Sequence, residues 1–172
     1  MAYDITEFEE ENTIRWLEKW AHREFGPERA KEIAEISDTY TFLANRRKYE
    51  ILHESTYSII NYDEAESVLR DWTKLRDDAR AIYDELPEEA RPAYFELVLH
   101  QIEAGHTIHD LYISTAKNRL YGSQGRTSTN ALAHKVLEIF DYDRNLTEEY
   151  HAMLDGKWDH IMDQTHIGYH WW

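Results

Sequence analysis

The sequence predicts an all-α fold: an antiparallel bundle of about five helices, with an irregular aromatic-rich C-terminal stretch. Only 6 Gly and 3 Pro punctuate 172 residues, which leaves room for long helices rather than many short strands. Apolar side chains recur at steps of three and four along several segments, the spacing of a single helix face. No pair of segments shows the strict alternation of a half-buried strand pair. Apolar stripes on long helices with short joins pack as an antiparallel bundle. The length suits a single helical domain over 1–172, and a chain of this size buries about 70% of its unfolded surface without disulfides or metals.

The first helix is expected to start at Thr6, with Glu9 three residues on to complete a capping box. Ile14, Leu17, Trp20 and Ala21 form its apolar stripe, and Gly26 suits the stop, with Pro27 opening the next turn. The second helix runs from about Glu28 to Arg47, with Ile33, Ile36, Tyr40, Leu43 and Ala44 on one face. Residues 49–61 read as a connector or short helical turn. Asn61 and Glu64 then form a second capping box. The third helix carries the longest stripe: Ala65, Val68, Leu69, Trp72, Leu75, Ala79, Ile82, Tyr83 and Leu86, ended by Pro87. The fourth begins near Glu88, accepts Pro92 in its first turn and runs to about Tyr121. Phe95, Val98, Ile102, Ile108, Tyr112 and Ala116 point inward, and Gly105 marks a bend or a close helix crossing. Residues 121–130 hold the most turn chemistry. The fifth helix starts near Ser128 with Leu132, Val136 and Phe140 inward. A break is expected over 141–146, with Thr147 capping a last short piece to about Asp155.

The stretch 156–172 differs from the rest. It holds three of the six Trp, three of the ten His and two of the six Gly, with no clean helical or strand period. Flat apolar rings interleaved with imidazole, amide and carboxylate groups suit a polar ligand site or a domain seam. They equally suit rings that close the core of a bundle. An end on Trp171-Trp172, without a polar tail, is expected of a chain cut from something longer.

Composition narrows the functional classes. A net charge of -15 argues against a nucleic-acid partner or an anionic membrane surface, since each requires a basic face. No apolar run approaches the ~18 residues of a membrane span, and the acidic start Met1-Ala2-Tyr3-Asp4 has no signal-peptide core. With no Cys there is no thiolate metal site and no thiol nucleophile. Tyr121-Gly122-x-x-Gly125 follows a helix and lacks the Gly-Lys-Ser/Thr ending of a phosphate loop. No Ser sits in a Gly-x-Ser-x-Gly turn. No cofactor is expected.

Three groupings bear on chemistry. Asn45-Arg46-Arg47-Lys48 is the one basic cluster. Its cations oppose the negative end of a helix dipole or clamp a carboxylate on a ligand or a neighbouring domain. His106 and His109 stand three apart beside Asp110, a spacing that places two imidazoles on one helix face. A third metal ligand is not supplied locally, so surface or seam histidines are the simpler reading and no metal site is assigned. Asp155, Asp159 and Asp163 recur every four residues, but 34 Asp and Glu offer many chance pairs. No catalytic residue is assigned.

Several motifs occur in a telling order. They are Asn45-Arg46-Arg47-Lys48, Asn61-Tyr62-x-Glu64-Ala65-Glu66, Leu97-Val98-Leu99-His100 and Asn118-Arg119-x-Tyr121-x-x-Gln124-Gly125-Arg126. The last and most distinctive is Gly156-Lys157-Trp158-x-His160-x-Met162-x-Gln164-Thr165-His166-Ile167-Gly168-Tyr169. Together, from about Trp20 to the end, they resemble the helical domain of glycoside hydrolase family 115, the xylan α-1,2-glucuronidases. The chain departs from the family pattern at Tyr49 and Gln101, where Pro is expected, and at Asp159, where Asn is expected. Without a Pro after His100, the fourth helix is free to continue.

The resemblance implies a multi-domain, secreted or periplasmic parent that removes glucuronic acid or its 4-O-methyl ether from xylan, with its catalytic carboxylates on a barrel-like domain. This chain has no room for such a barrel. The resemblance therefore implies an accessory domain that packs against the barrel, meets glucuronoxylan only through the parent and contributes to a homodimer contact. Arg46, Arg47, Gln124, Arg126, Asn130, Trp158, His166, Tyr169 and Trp171 are the candidate interface or sugar-contacting residues. The loop at 124–126 and the last stretch are expected to form one seam. The alternatives are a stand-alone helical module binding acidic sugars or a protein partner, and a small metal-dependent hydrolase built on His106 and His109.

Overall fold

The structure is a computed structural model that describes residues 13–168. It is all-α. The helices are α1 (Thr13–Phe25), α2 (Ala30–Ala44), α3 (Glu64–Glu85), α4 and α5 (Thr129–Gly156). Helix α4 is continuous through an α-helical turn (Arg91–Tyr94), a π-helical turn (Phe95–Leu99) and a long α-helical part (His100–Ser123). A 3-10 turn, Tyr49–Ile51, interrupts the connector between α2 and α3. The Thr6–Glu9 capping box lies outside the described residues.

Side-chain pairs fix the antiparallel order. Arg29 and Arg46, beyond opposite ends of α2, meet Glu85 and Asp71 of α3. Between α3 and α4, Glu66 meets Lys117 while Arg80 meets Glu103. Between α4 and α5, Asn118 donates to the Thr129 carbonyl (2.7 Å), Lys135 meets Asp110 (2.6 Å) and Tyr142 donates to Glu103 (3.1 Å).

The core lies where α2, α3 and α4 meet. Ile33, Trp72, Tyr94, Phe95, Val98, Leu99 and Ile102 are among its fully buried members. Full burial of each such aliphatic side chain contributes ~1.5–3 kcal/mol. The expected stripe of α3 is buried at Ala65, Val68, Trp72, Leu75, Ala79 and Ile82. Of the two readings of Gly105, a bend or a close crossing, the structure shows the crossing. A Cβ there would lie 2.5 Å from the Trp72 ring and 3.0 Å from the Tyr49 hydroxyl, so only glycine lets α3 and α4 approach this closely. Gly26, at φ 87°, ends α1 in the left-handed conformation that a helix stop requires.

Four expectations are corrected. Ile108 and Tyr112 are only half-buried, while Gly105, His106, His109 and Ile113 face inward. Helix α4 is central, flanked by α3 and α5, so polar residues also fall on its buried arc and the two apolar ones on what remains. The Asn61–Glu64 box does not form. Asp63 precedes α3 in a left-handed conformation without a side-chain cap, and Glu64 instead accepts the Ser58 N–H (2.7 Å). The expected break at 141–146 is absent. Arg144 pairs with Asp141 and Glu148 along the helix, Thr147 bonds back to the Asp143 carbonyl, and buried Leu146 holds the segment against the bundle. Phe140 is 52% exposed, not inward, because steps of four from Leu132 drift off the seam with α4 that Leu146 and Tyr150 define.

Candidate interface residues at the two ends of the bundle

The antiparallel order sorts the candidate residues into two groups. Arg46 and Arg47 follow the C-terminus of α2. Gln124, Arg126 and Asn130 lie at the α4–α5 turn, near the same end of the bundle. Trp158 and His166 lie in the stretch that follows α5, whose residues 129–153 cover about 36 Å at ~1.5 Å per residue. Trp158, packed on Tyr150, thus stands toward the far end of the α4–α5 hairpin from the 124–126 loop, while His166 returns to the middle of α5 at Asp143. Tyr169 and Trp171 lie outside the described residues.

At the loop end, the sequence order Asn118 to Asn130 makes a compact turn. The Gly125 N–H donates to the Gly122 carbonyl (3.0 Å), and the Arg126 N–H to the Tyr121 carbonyl (3.0 Å). The Arg126 guanidinium covers the Tyr121 ring at 4.3 Å, a cation–π contact. Gln124, Arg126 and Asn130 are all exposed. Arg46 bonds Asp71 (2.8 Å) and covers the Phe42 ring, while Arg47 is exposed. Arg46 also lines a 650 Å³ groove between α2 and α3, with Ile36, Leu43, Leu75 and Ile82 along its floor. The candidate carboxylate clamp is therefore already paired at Arg46 and open at Arg47.

Beneath this end lies a ring stack that sequence reading missed. His109 stacks on Trp72 at 4.8 Å and on Tyr57 at 5.8 Å. Its Nδ1 donates to the Gly105 carbonyl (2.7 Å), which leaves Nε2 to accept from the Tyr57 hydroxyl (3.4 Å). Burial holds His109 at a pKa of about 4, below the ordinary histidine value. His106 turns elsewhere, to Thr73 (3.3 Å) and Arg76 (3.2 Å), and burial lowers it to about 4 as well. The two imidazoles therefore do not converge on one point. Among the described residues, no three His, Asp or Glu side chains gather to hold a metal. Tyr57 gave no sequence signal because it sits in a connector without periodicity.

At the opposite end, the π-turn Phe95–Leu99 widens α4 just before His100. The Gln101 amide donates to the Leu97 carbonyl (2.7 Å) inside that turn. Tyr150 of α5 packs edge-on to the His100 ring at 4.8 Å, and Trp158 packs on Tyr150 at 5.6 Å. His166 Nδ1 donates to Asp143, with both oxygens at 3.2 Å. Burial lowers His100 to about 4, whereas the hydrogen bond to Asp143 raises His166.

Between the ends, Glu103 is buried and held by Arg80 and by the Tyr142 hydroxyl. Burial and the Glu103 charge push Tyr142 up to about 12. Glu149, beside the same arginine, is raised by burial. Helix α5 packs on the bundle along one side only. Its far side exposes Leu137 (63%) and Phe140. Among the described residues, no helix is long and apolar enough to cross a membrane.

The model of the family described as Glycosyl hydrolase family 115 matches residues 1–51. Residues 1–51 are thus similar to glycosyl hydrolase family 115 sequence. The match takes in α1, α2, the basic cluster with Arg46 and Arg47, and the 3-10 turn at Tyr49–Ile51. The motifs at 61–66, 97–100, 118–126 and 156–169 lie beyond the matched residues. No curated protein matches the chain.

Proposed function

We propose that this chain is the helical accessory domain of a family 115 α-glucuronidase, which removes glucuronic acid or its 4-O-methyl ether from xylan. The match of residues 1–51 to the family carries the reading. In this reading the catalytic carboxylates sit on a barrel domain of the same parent, which is secreted or periplasmic. The bundle packs against that barrel or supports a dimer. Two features agree with such a role. The far side of α5 presents Leu137 and Phe140 to solvent, as a covered domain face would. Arg47, Gln124, Arg126 and Asn130 stand exposed at one end, where Arg126 is able to meet a carboxylate of a uronic acid or of a neighbouring domain.

The decisive experiment compares uronic acid release from glucuronoxylan by this chain alone and by the full coding frame that contains it. Release by the longer product and none by the chain is the expected result. A frame bounded by its own start and stop codons overturns the reading. A stand-alone module that binds acidic sugars is then the reading in its place. It requires saturable heat on titration with glucuronoxylan oligosaccharides, and an Arg47→Ala, Arg126→Ala double variant that loses it.

A further inference from the structure

At the last residues of α5 the chain reverses and returns along the helix. The reversal uses Leu154 and Asp155 at φ 50° and 56°, with Gly156 at 79°, and His160 follows at 67°. Three residues with a Cβ thus occupy the left-handed region, which is unfavourable for them. The segment 156–168 keeps this path only while its contacts with the bundle hold. Trp158 and Met162 pack against the core, and polar contacts add to them. The Trp158 ring rests on Tyr150, the Met162 N–H donates to His151 Nε2 (3.0 Å), and His166 bonds the Asp143 carboxylate. The His166 contact is the farthest from the reversal, and it is the one that joins the segment to the middle of α5.

We propose that His166 and Asp143 form a pH-controlled latch on the 156–168 strap, closed in mild acid and loosened as the pH rises. The strap places an imidazole against a half-buried carboxylate, so the closed strap favours the imidazolium. Loss of that proton leaves a neutral hydrogen bond where an ion pair stood. The sign follows from the direction of the shift. His166 is raised by Asp143, so the closed strap gains from protonation below the ordinary histidine value and loses that gain as the pH climbs through the raised one.

The other charged groups around the latch fit this direction. From α4, His100 faces both His166 and Asp143. It stays neutral down to about 4 and therefore does not repel the imidazolium in mild acid. From α5, His151 lies 3.6 Å from Asp159 and 3.8 Å from Asp163 of the strap. Within the strap, His160 bonds Asp163 (2.6 Å) and is raised by it and by Asp159. That pair ties the strap to itself, not to the bundle, so it does not close the latch.

The test measures amide hydrogen exchange of the full chain from pH 5.5 to 8, corrected for intrinsic rates, with NMR titration of the imidazoles alongside. Protection over 157–168 is expected to fall at least five-fold, with a midpoint that matches His166. Asp143→Asn is expected to lower that protection at pH 5.5 to its pH 8 level, while α3 and α4 stay protected. If Asp143→Asn perturbs the helices, His166→Asn on the strap provides the same comparison. Protection that does not change with pH overturns the latch. So does a pH dependence that survives in either variant, or one whose midpoint follows His160.

Discussion

The buried middle of the bundle and its strap end use histidine in opposite ways. His106 and His109 are enclosed by α3, α4 and the connector, and burial keeps them neutral to about 4. His160 and His166 lie on the strap against carboxylates, which raise them. His100 stands at the border, adjacent to the strap yet buried and neutral. One residue type therefore stiffens the core as a flat aromatic ring and fastens the strap as a cation. What separates the two uses is burial in one case and a facing carboxylate in the other, Asp143 for His166 and Asp163 for His160. Acid should thus loosen the bundle while it tightens the strap.

The most severe way to disturb the buried side is to strand a charge. Arg80→Met leaves the Glu103 carboxylate buried with only the Tyr142 hydroxyl, and should cost ~3–5 kcal/mol in urea unfolding. Glu103→Gln, which removes the charge, should cost clearly less. The pH comparison comes next. His100, His106 and His109 have folded values of about 4 against an ordinary 6.5. Their contribution to stability is complete above the unfolded value and is lost as the pH falls from there toward the folded one. Each such histidine sets a slope of up to about 1.4 kcal/mol per pH unit. Global stability measured between pH 7 and 4.5 should decline steeply while the strap stays protected. A bundle equally stable at both would break the comparison.

Gly105→Ala should destabilise by ~1–3 kcal/mol through the clash with the Trp72 ring, despite alanine's better helix propensity. Trp72→Phe in the same chain should recover part of the loss. On the far side of α5, Leu137→Glu with Phe140→Glu should change stability by less than ~0.5 kcal/mol per site. It should nevertheless reduce binding of a hydrophobic dye or self-association of the isolated chain. The loop end should also respond weakly. Arg126→Ala loses an exposed cation–π contact of ~0.5–1 kcal/mol, and its melting temperature should barely move.

The two ends also differ in how far they were legible. The loop end lies close to its reading from residues alone: turn chemistry at 121–130, exposed polar groups and a basic cluster after α2 are local properties. The strap end was legible only as an anomaly. Its composition announced something other than a helix, and Gly156 marked where the helix stops, but its contacts with Asp143, Tyr150 and His151 depend on the direction the chain takes after the reversal at 153–156, which no local pattern marks. Asp143 itself was read as part of a helix break, because Asp and Asn are poor helix formers. Tertiary burial of Leu146 and the Arg144 pairs override that preference.

The amino-acid pattern by itself determined the all-α class, the long stripe of α3, the stop at Gly26, a bend or a close crossing at Gly105 and the family resemblance. Those features rest on spacing, on backbone conformation and on motif order, all of which are carried along the chain. Only the tertiary structure decided which arc of α4 is buried, that His106 and His109 diverge, and that the strap returns along α5 to Asp143. Each of these depends on which helix lies beside which, and so on the summed packing of residues distant in sequence. Local spacing does not encode that packing.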